Sequence, residues 1–139
     1  MKIISNRFLL KIFTLILFIL LGCEVPPGAD VSYSIRFDNN SDQNLYLFVN
    51  YLYPDTSLPS QKPYLDYVAS MHSRNIYSSV KWDKVFDQLP QDTLSLFLII
   101  SDSLEIYGWE TIATKQKIVA RLDLSYNDLD QNSFIVKYP

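Results

Sequence analysis

Apolar and polar positions alternate with period two along much of the chain beyond residue 30. In VSYSIRFD, residues 31–38, Val31, Tyr33, Ile35 and Phe37 alternate with Ser32, Ser34, Arg36 and Asp38. That pattern predicts a strand with one face on a core and one in water. NNSDQ, residues 39–43, is turn material. LYLFVNYLY, residues 45–53, is apolar on both faces except at Asn50, which predicts a central strand or one whose second face lies under a loop or helix. The following stretch, 54–63, carries Pro54, Pro59 and Pro63 and predicts a long loop. LDYVAS (65–70) and NIYSSV (75–80) predict short strands. TLSLFLIIS (93–101) carries the strongest strand signal, with Leu94, Leu96, Leu98 and Ile100 on one face and Phe97 and Ile99 on the other. KIVARLDLS (117–125) sets Ile118, Ala120, Leu122 and Leu124 inward and Arg121 and Asp123 outward. SFIVKY (133–138) closes the chain with Phe134, Val136 and Tyr138 on one face.

Helical spacing is scarce. Trp82, Val85, Phe86 and Leu89 recur at i, i+3, i+4 and i+7, with Asp83 in the first turn and Pro90 as a stop. They predict a short amphipathic helix over an edge or end of the sheets. SLEIYGWETIA (103–113) has no sustained period and predicts a loop or single helical turn around Trp109 and Ile112. Ser125 and Asp128 have capping-box spacing, with Asp in place of the usual Glu or Gln, predicting a brief helical turn at YNDLD. The expected fold is mostly β: an antiparallel two-sheet sandwich, immunoglobulin-like, with one or two short helices. A small barrel, or an open sheet backed by the Trp82 helix, is the alternative. The last strand is expected to pair inside a sheet.

The first 22 residues follow a different rule. Lys2 and Arg7 form a basic head, and Phe8 to Leu21 is apolar apart from Lys11 and Thr14. This is the pattern of a secretory signal peptide, shorter than the roughly 20 apolar residues of a comfortable helical span. It runs into LLGC, residues 20–23, which resembles the bacterial lipobox: two aliphatic residues, a small residue, then cysteine. The resemblance implies cleavage before Cys23 and a diacylglycerol on its thiol, making the lipid bilayer the first expected partner. A buried thiol at the end of a membrane anchor is the alternative. Stable attachment needs more than one acyl chain, each buried methylene contributing about 0.8 kcal/mol. The expected organisation is therefore a signal segment 1–22, a lipidated tether 23–30 with EVPPGAD at 24–30, and one domain at 31–139.

Cys23 is the sole cysteine, so the exported domain is built without a disulfide and offers no cysteine-rich zinc site. Loss of Lys2, Arg7 and Lys11 with the leader leaves nine Lys and Arg against fifteen Asp and Glu, a formal net charge of −6. Such a balance lacks the basic footprint of a nucleic-acid binder, and it repels an anionic lipid surface.

Candidate chemistry is sparse. His72 is the one histidine, flanked in MHS by Ser73 with Ser70 nearby, and adjacency in sequence makes no triad. Asp128, Asp130 and Asn132 fall at the first oxygen positions of an EF-hand-like loop, but Ser133 stands where glycine is needed and Pro139 where a bidentate Glu belongs. Asp38, Asn40 and Asp42 fail in the same way. Capping and turn roles fit both clusters better. The mature chain holds only Gly28 and Gly108, so it has no glycine-rich phosphate loop, and nothing selects a carboxylate pair for glycoside hydrolysis. No cofactor is expected. Asn39-Asn40-Ser41 matches the N-glycosylation pattern, while Asp92-Thr93-Leu94 and Asp102-Ser103-Leu104 resemble the Asp-Ser/Thr-apolar sites that Bacteroidetes O-glycosylate.

Aromatic residues are the one abundant resource: ten tyrosines with Trp82 and Trp109. Tyr51, Tyr53, Tyr64 and Tyr67 flank the proline-rich loop and are the candidate binding residues for a protein or glycan platform. Core filling is the alternative for each of them. Trp109 is expected as a core plug near Ile112, and Arg121 as a satisfied solvent-face residue.

The carboxyl-terminal half resembles small, uncharacterised lipoproteins of the Bacteroidetes. The matching positions are Asp92 to Leu94, Trp109, Arg121 to Ser125, Asp128 to Leu129 and the terminal Tyr138 to Pro139. The resemblance spans about residues 92–139 plus the leader, implies a shared fold, and supplies no catalytic residues. The expected role is an envelope lipoprotein, non-enzymatic, that binds protein or supports a complex. A glycan- or small-solute-binding surface module is the alternative, and a hydrolase the third reading. The expected location is the outer membrane, with the periplasmic side preferred because Glu24 is followed by Val25, Pro26 and Pro27 and not by further acids.

Overall fold

A computed structural model describes residues 32–139; Cys23, the signal segment and the tether lie outside the described residues. Seven strands form two sheets. The first sheet has the order β4-β1-β7, built from β1 (Tyr33–Asn39), β4 (Ser73–Ser78) and β7 (Ile135–Tyr138). The second has the order β3-β2-β5-β6, built from β2 (Leu45–Asn50), β3 (Asp66–Val68), β5 (Thr93–Ile100) and β6 (Ala120–Ser125). Ile35, Phe37, Ile76 and Val136 of the first sheet share one buried cluster with Leu45, Leu47, Val68, Leu94, Leu96 and Leu98 of the second. Period-two alternation turns one side of every strand into that common layer. The result is a mixed, mostly-β fold of two packed sheets.

Two features depart from the sequence expectation. The domain is not wholly antiparallel, because β7 runs parallel to β1, pairing Arg36 with Ile135 and Asn39 with Tyr138. The cause is α3 (Tyr126–Gln131), which carries the chain from the end of β6 to the neighbouring sheet at the end where β1 also starts. That helix opens on the predicted capping box: Ser125 Oγ accepts from the Asp128 N–H at 3.1 Å, and Asp128 Oδ2 accepts from the Ser125 N–H at 3.0 Å. The second departure is strand order. An immunoglobulin constant domain keeps its first two strands in one sheet, whereas here β1 and β2 lie in opposite sheets. The final strand does pair with β1, but as an edge strand.

The outer face of the second sheet is covered, not solvated. Phe97 and Ile99 pack with Leu104, Trp109, Ile112 and Ala113 of α2 (Ser101–Lys115) and with Leu58 of the long loop. This corrects the expectation of a loop or single turn at 103–113. Gly108 (φ 71°, ψ 163°) divides α2 into two helical pieces, a conformation that suits glycine. Trp109 is the core plug expected, and its indole N–H also donates to the Pro59 carbonyl at 3.0 Å. Ile118 joins this outer cluster, not the central one. Arg121 and Asp123 lie on the same face: Arg121 Nε donates to Asp123 Oδ1 at 2.7 Å, and Ser95 Oγ donates to the same oxygen at 2.6 Å. The predicted amphipathic helix is α1 (Trp82–Phe86), closed by a 3-10 turn at Pro90–Asp92.

Several carboxylates ionise more readily in the fold than in an open chain. Hydrogen bonds from Ser73 and then Arg36 lower the Asp38 pKa, those from Ser57 lower Asp55, and those from Ser125 lower Asp128. A depressed folded pKa adds stability above the unfolded value, near 4 for Asp, and that stability is lost as pH falls through the folded value. Thermal midpoints are therefore expected to decline as pH drops below about 4. Asp128→Asn, which keeps an acceptor but cannot titrate, should show a shallower decline. An identical acid profile for the two proteins would contradict the capping role.

Candidate functional site

The two sheets meet at an open seam where β3 and β4, both edge strands, face each other. Asp66 of β3 and Arg74 of β4 bridge the seam: Arg74 Nη2 lies 2.7 Å from Asp66 Oδ1, and Nε donates to the same oxygen at 2.9 Å. The hydrogen bond and charge of Asp66 raise the Arg74 pKa further above its ordinary range. Because β3 is only three residues long, it pairs with Leu45, Tyr46 and Leu47 and leaves the last residues of β2 without a strand on that side. A groove of about 440 Å³ opens there, lined by Val49, Tyr51, Tyr64, Asp66, Arg74 and Tyr77 among others.

Three tyrosines converge on this groove. Tyr51, Tyr64 and Tyr77 are 43%, 77% and 64% exposed. Their placement is specified by polar neighbours. Asn50, the single polar residue of its apolar run, accepts from the Leu52 N–H at 3.1 Å and donates to the Asp55 carbonyl at 3.3 Å, which turns the chain directly after Tyr51. The Tyr64 hydroxyl donates to Asp66 Oδ1 at 3.4 Å, and Asn75 Nδ2 donates to the Tyr77 hydroxyl at 3.2 Å. Partial burial raises the Tyr51 pKa, so its phenol stays protonated and able to donate.

The rim of the groove is also a strand edge. The Asn39 N–H donates to the His72 carbonyl at 2.9 Å, which sets the phase of the β1–β4 ladder. By antiparallel alternation, Arg74 and Ile76 exchange backbone bonds with Phe37 and Ile35, and the backbone groups of Asn75 and Tyr77 point away from β1. Among the described residues these edge groups have no strand partner, and such an edge is a template for an added strand.

Of the four tyrosines expected at the site, the structure brings Tyr51 and Tyr64 together and sends the others elsewhere. Tyr53 lies over Arg121, with 5.5 Å from the guanidinium carbon to the ring centre. Tyr67 packs edge-to-face on Tyr46, 5.6 Å between centroids. Tyr77, Asp66, Arg74 and Asn75 were not indicated by the sequence. Only the pairing of β4 with β1, beside the start of β3, puts them at the seam.

The other sequence candidates have local roles. His72 is exposed, with Nδ1 2.7 Å from the Ser70 carbonyl oxygen, and its own carbonyl accepts from Asn39. Asp128 caps α3, and Asn132 Nδ2 donates to the Asp128 carbonyl at 2.8 Å. Asn39 of the glycosylation triplet is buried. Among the described residues, no three His, Cys, Asp or Glu side chains gather in a metal-holding group, and no helix is long and apolar enough to cross a membrane. The chain matches no protein-family model, no curated protein and no solved structure.

Proposed function

We propose that the protein is an envelope lipoprotein, anchored through an acylated Cys23, that binds a protein partner at the tyrosine seam without catalysing a reaction. The bilayer and an envelope protein are its two partners in this reading, and the outer membrane, periplasmic side, is its location. The observation that carries the binding part is the convergence of Tyr51, Tyr64 and Tyr77 on one groove beside the edge of β4 that, among the described residues, pairs with no further strand. Tyrosine presents large amphipathic area at small entropic cost, and an open strand edge offers main-chain bonds to an extended segment. The immunoglobulin comparison is kept only at the level of two packed sheets. The small Bacteroidetes lipoproteins that the carboxyl half resembles are consistent with this assignment.

A glycan is the second reading, favoured by the mixture of tyrosine rings with Asp66, Arg74 and Asn75 along the groove. A photo-crosslinking residue placed at Tyr77 in living cells separates the two. The protein reading expects a discrete protein adduct that disappears when the crosslinker is moved to Glu105. Retardation of the protein in a polysaccharide gel, with no protein adduct from position 77, would replace it with the glycan reading.

A further inference from the structure

Each sheet ends on two strands that, among the described residues, pair on one side only: β4 and β7 in the first, β3 and β6 in the second. Proteins ordinarily blunt such edges by keeping them short or charged. β3 and β7 are three and four residues long. β6 has six residues, but by ladder alternation the positions that point away from β5 include Arg121 and Asp123. β4 differs from all three. Its six residues turn Ser73, Asn75 and Tyr77 outward, none of them charged, and its one charge, Arg74, is held by Asp66. Both sides of β1 fix this phase. The Arg36 and Asn40 N–H groups donate to the Phe134 and Tyr138 carbonyls at 2.8 Å, so Asn75, opposite Arg36, has its backbone groups turned away from β1.

We propose that the partner at the tyrosine seam binds as an extended strand added to β4, which makes the first sheet four-stranded. This rests on the protein-binding reading of the seam and specifies how that partner is held. Ser73, Asn75 and Tyr77 supply its main-chain bonds along about 17 Å, five residues at about 3.4 Å each. Alternate side chains of the added strand fall on opposite faces. One set lies on the open face beside Asn75 and Tyr77. The other lies beside Arg74 and Ile76, where Leu47 and Val49 line the groove and Tyr51 and Tyr64 border it. An apolar side chain next to Ile76 is therefore what the groove selects. The occupant is a segment of a different protein and not a second copy of this chain. Antiparallel pairing of β4 with itself, centred on Asn75, sets the other copy's Arg74 next to Ile76 and brings a guanidinium to Leu47 and Val49.

The test uses the full-length protein in living cells, with the photo-crosslinking residue at position 77, and compares Asn75→Pro with Asn75→Ala. Proline removes an outward N–H and leaves the β1 ladder intact, the setting in which an edge strand accepts it. Alanine removes the side chain and keeps the N–H. Asn75→Pro is expected to cut the protein adduct roughly ten-fold or more, because the partner's carbonyl loses its donor, while Asn75→Ala stays within about two-fold of the parent. Ser73→Pro, at the next outward position, repeats the measurement should Asn75→Pro fold poorly. An undiminished adduct in the folded proline variant, or equal losses in both variants, would overturn strand addition and leave a partner that reads side chains. An adduct at twice the protein's own mass would overturn the choice of occupant in favour of a second copy. No adduct from the parent would sink the protein-binding reading itself, and the added strand with it.

Discussion

Replacing Trp109 with alanine is expected to lower the free energy of unfolding by about 3–5 kcal/mol, the range for removing a buried tryptophan. The indole is buried on the sheet-facing side of α2 and packs in one cluster with Phe97 and Ile112, both fully buried. Its N–H is also the fastening between α2 and the long loop, through the Pro59 carbonyl. The loss should therefore appear twice. Urea denaturation gives the stability change, and hydrogen exchange shows faster opening of the loop amides between residues 52 and 63. Trp109→Phe keeps most of the packing but removes the donor, so it should loosen the loop while costing less globally. A change below about 1 kcal/mol for the alanine variant would mean that α2 is not an integral cover of the sheet.

Asn39→Ala is expected to be of similar size, about 3 kcal/mol or more, by a different mechanism. The Asn39 side chain is buried at the end of β1 and joins two turns. Its Nδ2 donates to the Gln43 carbonyl at 2.8 Å and the Ala69 carbonyl at 3.1 Å, and its Oδ1 accepts from the Ser41 N–H and hydroxyl. Alanine leaves these groups unpaired in a place that water reaches poorly. Asn39→Asp should be worse, since it sets a carboxylate against two carbonyl oxygens. The same geometry speaks against glycosylation of Asn39: its amide is committed to the fold. Equilibrium unfolding of the two variants checks the ranking, and wild-type stability in Asn39→Ala would contradict the hub assignment.

Much of the scaffold is legible along the chain because alternation is a local signal. Ile35 and Phe37, or Leu94, Leu96 and Leu98, point to one core without any knowledge of their neighbours. The two apolar faces of residues 45–53 implied a central strand or a cover, and Tyr46 and Phe48 do pack into the covered cluster beside Phe97 and Ile99. The nature of that cover was not legible, because Gly108 resets the helical phase. Leu104 packs from one piece and Trp109, Ile112 and Ala113 from the other, while Ile106 and Tyr107 stay exposed, so no single stripe runs through 101–115. Asp123 is exposed as expected, whereas Arg121 reads as solvated but lies largely covered beside Tyr53, because a charged alternation looks the same under a loop as in water.

The seam was half legible for a related reason. Aromatic residues around a proline-rich loop drew notice to Tyr51 and Tyr64, but exposure and convergence are properties of strand pairing. Tyr77 enters only because β4 lies against β1, and Asp66 only because β3 begins there, opposite Leu47. Tyr53 and Tyr67 look equivalent to Tyr51 and Tyr64 in sequence, yet one turns over Arg121 and the other onto Tyr46. The parallel β7 is likewise set by where α3 crosses between sheets, which no periodicity records.

Intact-mass measurement of the protein extracted from its own membrane bears most directly on a lipid-held binding module. The expected species begins at Cys23 and carries the added mass of a diacylglycerol, with or without a further acyl chain. A chain that still begins at Met1, or one whose Cys23 thiol is unmodified, would contradict the assignment at its root.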